Sequence, residues 1–183
     1  MPKELLKNIK AVITITSPQP TFESELTLLK ITDNSTPTNL ITQAGYDEVN
    51  TFITKQGDNL THTLGQRYAG VWHPNHAISS DAAELQISLM TVTIDGHLLK
   101  GRAASIEELA AYEIKNIEAL KDIYLIALKE EICDGSNVYV ALRCACGSGR
   151  GLYLGRRAGF WGSRSRFLVI FEVLDSSVPQ TSV

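Results

Sequence analysis

A single α+β domain is what the sequence predicts: a mostly antiparallel or mixed β-sheet packed by one long helix and one or two short helices. Three observations predict it. Several segments alternate apolar and polar residues at strand spacing. One segment carries apolar residues in steps of three and four behind a capping box. The chain has 183 residues, 44% hydrophobic and 20% charged, which suits one domain with a real core and is short for two. The domain is expected over residues 1–175, with a loose tail at 176–183.

Ile9, Ala11, Ile13 and Ile15 share one face of an expected first strand, closed by Ser17-Pro18-Gln19-Pro20 because neither proline can donate to a ladder. Leu26 to Ile31 reads as a second strand and residues 32–38 as a loop. Tyr46, Val49, Phe52 and Ile53 stand at helical spacing, with Leu60, Leu64 and Tyr68 continuing the pattern. Residues 71–81 carry few periodic cues and Pro74, and read as a loop. Over 84–94, Leu85, Ile87 and Leu89 alternate, then the apolar set shifts to Met90, Val92 and Ile94, as a strand with a bulge would.

The next segment predicts the long helix. Ser105-Ile106-Glu107-Glu108 is a capping box, and Ile106, Ala110, Ile114, Ile117, Leu120, Tyr124, Leu128 and Ile132 form one stripe. The helix is expected over 105–131, with a break near Asn116–Asp122 and a stop at Asp134-Gly135. Val138, Val140, Leu142, Cys144 and Cys146 alternate as a strand; Leu152, Tyr153 and Leu154 start another. Phe167 to Leu174 is apolar on both faces except at Glu172, the pattern of a strand in the middle of a sheet.

The charge distribution is the chain's most unusual feature. Six of its eight arginines, Arg143, Arg150, Arg156, Arg157, Arg164 and Arg166, fall in one segment, and no Asp or Glu occurs between Asp134 and Glu172. That segment carries +6 in a chain of −3, so the remainder carries −9. A guanidinium fork suits phosphates, carboxylates and subunit interfaces. The simplest alternative is a basic face balanced by acidic helices of the same molecule. The net charge argues against a general nucleic-acid coat.

Catalytic signatures do not accompany the charge. Cys146-Gly147-Ser148-Gly149-Arg150-Gly151 lacks the Gly-Lys-Ser/Thr ending of a phosphate loop. His73 and His76 bracket Pro74-Asn75 and would need a third ligand from His62, His97 or a distant carboxylate to hold a metal. Cys144 and Cys146 are not a Cys-x-x-Cys pair, and read as buried thiols. Glu107-Glu108 and Glu130-Glu131 fit capping and solubility. No enzyme, cofactor or metal site is therefore expected. No apolar run is long enough to span a membrane. Met1-Pro2-Lys3-Glu4-Leu5-Leu6 lacks a continuous apolar core with a cleavage site, and three cysteines form no disulfide framework. Synthesis in a reducing cytoplasm is expected.

The expected order of strand 84–94, helix 105–131, strand 138–146 and irregular loop ends in Ala158-Gly159-Phe160-Trp161-Gly162-Ser163 before Phe167-Leu168-Val169-Ile170-Phe171-Glu172. It resembles the tail terminator (tail completion) proteins of long-tailed bacteriophages. The resemblance covers residues 81–175, about half the chain; the family commonly opens with an amphipathic helix, whereas this chain opens on a strand pattern. It implies a structural protein of the virion tail or neck, made in the host cytoplasm. That protein would form a homo-oligomeric ring, a hexamer, between the tail tube and head-connector proteins, with DNA passing through the lumen. Arg150, Arg156, Arg157, Arg164 and Arg166 are the candidate interface or DNA-facing residues, chosen by charge and loop position. The competing reading is a nucleic-acid-binding module using segment 143–166, with Tyr153, Phe160 and Trp161 as stacking surfaces. A third, a small enzyme using His73, His76 or a cysteine, rests on residue types alone.

Overall fold

The computed structural model describes residues 21–22, 26–31, 37–47, 49–50, 65–144 and 151–173. In chain order these form β1 (Thr21–Phe22), β2 (Thr27–Ile31), α1 (Pro37–Gln43), β3 (Gly65–His73), β4 (Ile78–Ser79), α2 (Ser80–Ser88), β5 (Thr91–Ile94) and β6 (His97–Ala103). There follow α3 (Ile106–Asn116), a 3-10 turn (Ile117–Leu120), β7 (Tyr124–Asp134), β8 (Asn137–Cys144), β9 (Gly151–Arg156), β10 (Phe160–Trp161) and β11 (Ser165–Val173). The predicted class holds: a mixed, mainly antiparallel sheet with helices on it. Among the described residues, no helix is long and apolar enough to cross a membrane.

β11 is the axis of the sheet. One edge pairs antiparallel with β3 over Phe167–Phe171. The other edge is shared: β7 takes Ser165–Phe167 in parallel, and β6 takes Val169–Val173 antiparallel. The sheet therefore forks around Leu168. Beyond β7 lie β8 and β9; beyond β3 lie β1 and β2; β5 extends β6.

Burial on both faces follows from the apolar run seen in the sequence. Leu168 and Ile170 enter a core with α1 and α3, alongside Leu29, Ile41, Ala69, Leu109 and Leu125. Phe167, Val169 and Phe171 enter a second core with α2, alongside Trp72, Ile87, Met90, Leu99 and Ile126. Each such side chain contributes about 1.5–3 kcal/mol by leaving water, so β11 is where the two cores are tied together. Gly101 lets α2 approach β6: a Cβ there would come within 2.8 Å of the Ile87 carbonyl oxygen.

Four readings of the sequence are corrected. Residues 84–94 are not one bulged strand. Ser79 caps α2, its Oγ accepting from Ala82 N, and Ala83 and Ile87 face the core one helical turn apart. The phase change at Met90 is the passage from helix to β5. Second, the long helix ends at Asn116 and the 3-10 turn at Leu120; Asp122 with φ +60° reverses the chain into β7. Leu125-Ile126-Ala127-Leu128 is buried on both faces, and such a run mimics a helical stripe because its apolar spacing is satisfied everywhere. Third, Tyr68 lies in β3, and the expected loop at 71–81 holds the end of β3, β4 and the start of α2, while Leu60 and Leu64 lie outside the described residues; residues 47, 49 and 50 are helical as expected. Fourth, Cys144 is disulfide-bonded and so is not the free thiol expected, while Cys133 is free and exposed. The expected first strand at 9–16, the remainder of the expected helix at 46–53, the glycine run at 146–150 and the tail at 176–183 lie outside the described residues.

Candidate functional site

The arginine segment leaves the sheet after β9 and rejoins it at β11. Between them, β10 pairs antiparallel with β4, Phe160 opposite Ser79 and Trp161 opposite Ile78. This excursion is pinned to the body at many points. Trp161 Nε1 donates to Ser80 Oγ at 2.9 Å, and Ser80 Oγ donates to the Arg157 carbonyl at 3.0 Å. His73 Nε2 lies 3.1 Å from the Ser163 carbonyl, and Tyr124 N donates to that of Arg164 at 3.1 Å. The Trp161 ring lies on Gly155, where a Cβ would come within 2.5 Å of the ring and 2.6 Å of Leu142.

The six arginines divide into distinct populations. Arg143 is buried, its Nε 2.9 Å from Glu113 Oε1 and its Nη1 bonded to the Leu120 carbonyl; it ties β8 to the end of α3. Arg157 reaches three acids: Asp81 Oδ1 at 2.9 Å and Glu84 Oε2 at 2.6 Å from Nη2, and Glu131 Oε1 at 2.8 Å from Nε. The Glu84 hydrogen bond above all, with the surrounding acids, raises its pKa. Arg166 is half-buried, with Nη1 donating to the Ser163 and Ser165 carbonyls. Arg156 and Arg164 are exposed, and no acidic side chain among the described residues pairs with either. Arg150 lies outside the described residues.

Of the predicted interface set, then, Arg156 at the end of β9 and Arg164 on the excursion are exposed, and Arg157 holds the excursion through its acidic partners. Between them in sequence is Phe160, 79% exposed. Trp161 is turned inward and is not a free stacking surface, in contrast to its expected role; Tyr153 is exposed on β9 and covers Gly151.

A second polar cluster closes the fork of the sheet. Glu108 of α3 accepts from Arg67 Nη1 (2.7 Å), from Arg102 Nη1 (2.9 Å) and Nη2 (2.6 Å), and from Ser105 N (2.8 Å). Arg102 also grips Glu172 at 2.6 and 3.0 Å. Burial alone would push the Glu108 carboxyl up, but Arg102, Ser105 and Arg67 hold it down to about 2. Glu172 is lowered by Arg102 as well. Next to it, Glu107 is 1% exposed; burial, then the charges of Glu108 and Glu130, push it up to about 7. Glu130 accepts from Ile106 N at 2.9 Å, and burial raises its carboxyl too. Sequence reasoning saw the capping box but missed the cluster, because Arg67 and Arg102 lie far from the arginine run. The available signal was Glu172, an acid in an otherwise apolar central strand that needs a cation.

His76 and His97 are exposed and on separate loops and strands. No group of three or more His, Cys, Asp or Glu side chains among the described residues could hold a metal ion. No protein-family model, no curated protein and no solved structure matches this chain.

Proposed function

We propose that this chain is a structural, self-associating protein of a bacteriophage tail or neck, a tail terminator ring without enzymatic activity. The observation that carries the reading is the pinned excursion: an exposed Phe160, with exposed Arg156 and Arg164 four residues away on either side in sequence, on a segment fixed by hydrogen bonds at both ends. A large exposed aromatic on a segment rich in arginine has the composition of an interface anchor. Ordering such a segment before association lowers the entropic cost of binding. The phage assignment itself rests on the sequence resemblance at Ala158–Ser163 and the strand after it; the expected strand at 84–94 and the length of the helix no longer support it.

Mass photometry and negative-stain microscopy of the purified chain, alone and with a tail-tube protein, test the reading. Closed rings are expected. A strict monomer that never joins tail particles would sink it. The nucleic-acid alternative keeps less support, since Trp161 faces inward and Arg143 and Arg157 are neutralised by acids of the same molecule. Single-strand binding that weakens steeply with salt would revive it.

A further inference from the structure

The cluster at the sheet fork holds more acid than base. Among the described residues, Glu107 of α3 is faced by Glu108 on its own helix, by Glu130 and Lys129 of β7 and by Arg67 of β3. Arg102 of β6 and Glu172 of β11 complete the group through Glu108. Four carboxyls, Glu107, Glu108, Glu130 and Glu172, thus stand against three cations, Arg67, Arg102 and Lys129. Glu108 and Glu172 engage both guanidinium groups, and Lys129 is exposed. Carboxylates crowded into a buried site resist ionising together, so Glu107 and Glu130 share the surplus and titrate as a coupled pair. Burial, then the charges of Glu108 and Glu130, keep a proton on Glu107 up to about 7.

The two carboxyls stand on supports of unequal firmness. Glu107 lies in the first turn of α3, whose capping box is closed in both directions. Glu130 lies in the register slip of β7 between Ala127 and Ile132. It accepts from Ile106 N at 2.9 Å, and the next residue, Glu131, reaches Arg157 Nε at 2.8 Å. An irregular stretch outside the ladder opens before a capped helix turn does. We propose that protonation of the Glu107–Glu130 pair sets the order of the Phe160 excursion through the β7 bulge. With the proton in place the bulge is seated, Glu130 on the α3 amide and Glu131 on Arg157. When the pair loses it, Glu107 and Glu130 repel, Glu130 leaves Ile106 and the bulge shifts. Arg157 then keeps Asp81 and Glu84 of α2 but loses its tie to β7, and residues 157–163 loosen. The seated state binds one more proton than the released state, so a rise in pH favours release. The device operates within one copy and does not rest on self-association.

Amide hydrogen exchange of the full chain, corrected for the intrinsic rate at each pH, is the test. The amides of Arg157, Gly159 and Ser165 are each hydrogen-bonded. Their protection is expected to fall about tenfold between pH 6 and pH 8, the linkage of one proton released through about 7. The amides of Ile106 and Lys129, bonded to Glu130 and to the Ala104 carbonyl, are expected to fall in parallel. Glu107→Gln keeps a neutral side chain in place and is expected to hold protection at its pH 6 level throughout. Glu130→Gln is expected to do the same and serves where Glu107→Gln fails to fold by circular dichroism. Glu131→Gln is expected to leave the response at Ile106 and Lys129 intact and to abolish it at 157–165. A wild type whose amides at 157–165 ignore pH overturns the proposal, whether or not Ile106 responds. An unchanged pH response in both Gln variants of the pair overturns it too, because other groups then carry the proton.

Discussion

Replacing Glu108 with Gln tests whether the charged cluster at the sheet fork holds the fold. Glu108 receives three hydrogen bonds from two guanidinium groups and one from a backbone amide. Bonds to charged groups are each about 1.5–3 kcal/mol, but they share one carboxylate and do not add. Breaking one partner out of a buried ion pair costs about 3–5 kcal/mol, chiefly because a buried charge is left uncompensated. Here the stranded charge is Arg67, itself buried, which among the described residues keeps an ion pair with Glu172 at 3.9 Å. Arg102 keeps Glu172 at 2.6 Å, which places Glu108→Gln at the lower end, about 3 kcal/mol. With a urea slope of roughly 2 kcal/mol/M, the midpoint is expected to fall by roughly 1.5 M at pH 7 with the slope unchanged. Glu172→Gln, whose carboxyl is partly solvated, is expected to cost about 1 kcal/mol. The double variant is expected to show coupling, since both acids hold Arg102. A midpoint within about 0.3 M of wild type for Glu108→Gln would refute the reasoning and make the cluster decorative.

Other consequences follow from the same geometry. Glu107 has a folded pKa raised above its unfolded value, so the folded state binds the extra proton; stability falls as pH rises from about 4.5 through about 7. Glu107→Gln is therefore expected to be more stable than wild type at pH 8, by on the order of 2 kcal/mol, and equal at pH 5; identical pH slopes in urea titrations would contradict this. Glu108 has the opposite sign: its contribution is present above the unfolded carboxylate range and is lost as pH falls towards about 2, so Glu108→Gln is expected to flatten the acid limb of the stability curve. Arg157→Ala leaves Asp81, Glu84 and Glu131 facing one another and is expected to cost about 1–2 kcal/mol, with faster amide exchange at 157–163 as the readout. Gly155→Ala forces a Cβ into Trp161 and Leu142 and is expected to cost about 1–3 kcal/mol, seen as a lower melting temperature.

What could be read from the sequence was what a local rule determines. The capping box at Ser105 is present in both directions, Ser105 Oγ to Glu108 N and Glu108 to Ser105 N. The doubly apolar run at Phe167 became the central strand because only a strand buried on both faces can afford it. β7 was misread for the same reason: where both faces are buried, period two and period 3.6 leave the same trace. α2 was misread because its outer leucines, Leu85 and Leu89, are apolar but exposed. Leu85 and Leu89 alternate with Ile87 in sequence, but only Ile87 and Ala83 reach the core, so apolar character was a poor guide to burial. At the site, charge located the arginine segment, yet nothing local could say which guanidinium would find an acid. Glu113, Glu84 and Glu131 come from other elements, and those pairings are a product of topology.

That topology runs through one irregularity. Residues 128–131 of β7 stand opposite the single residue Val140, because the register slips between Ala127 and Ile132. A bulge of this kind re-aims side chains that a regular strand would alternate. Here it sends Glu130 to the N-terminal amide of α3 at Ile106 and Glu131 to Arg157, while Lys129 N bonds the Ala104 carbonyl across the fork. The same few residues thus brace the buried cluster and the exposed excursion. The arginine segment, in turn, is neither uniformly a balanced face nor uniformly a binding surface. Arg143 and Arg157 are the balanced part, and by fixing the chain around them they hold Phe160, Arg156 and Arg164 outward. A partner meeting that surface meets a shape already set by the molecule's own ion pairs.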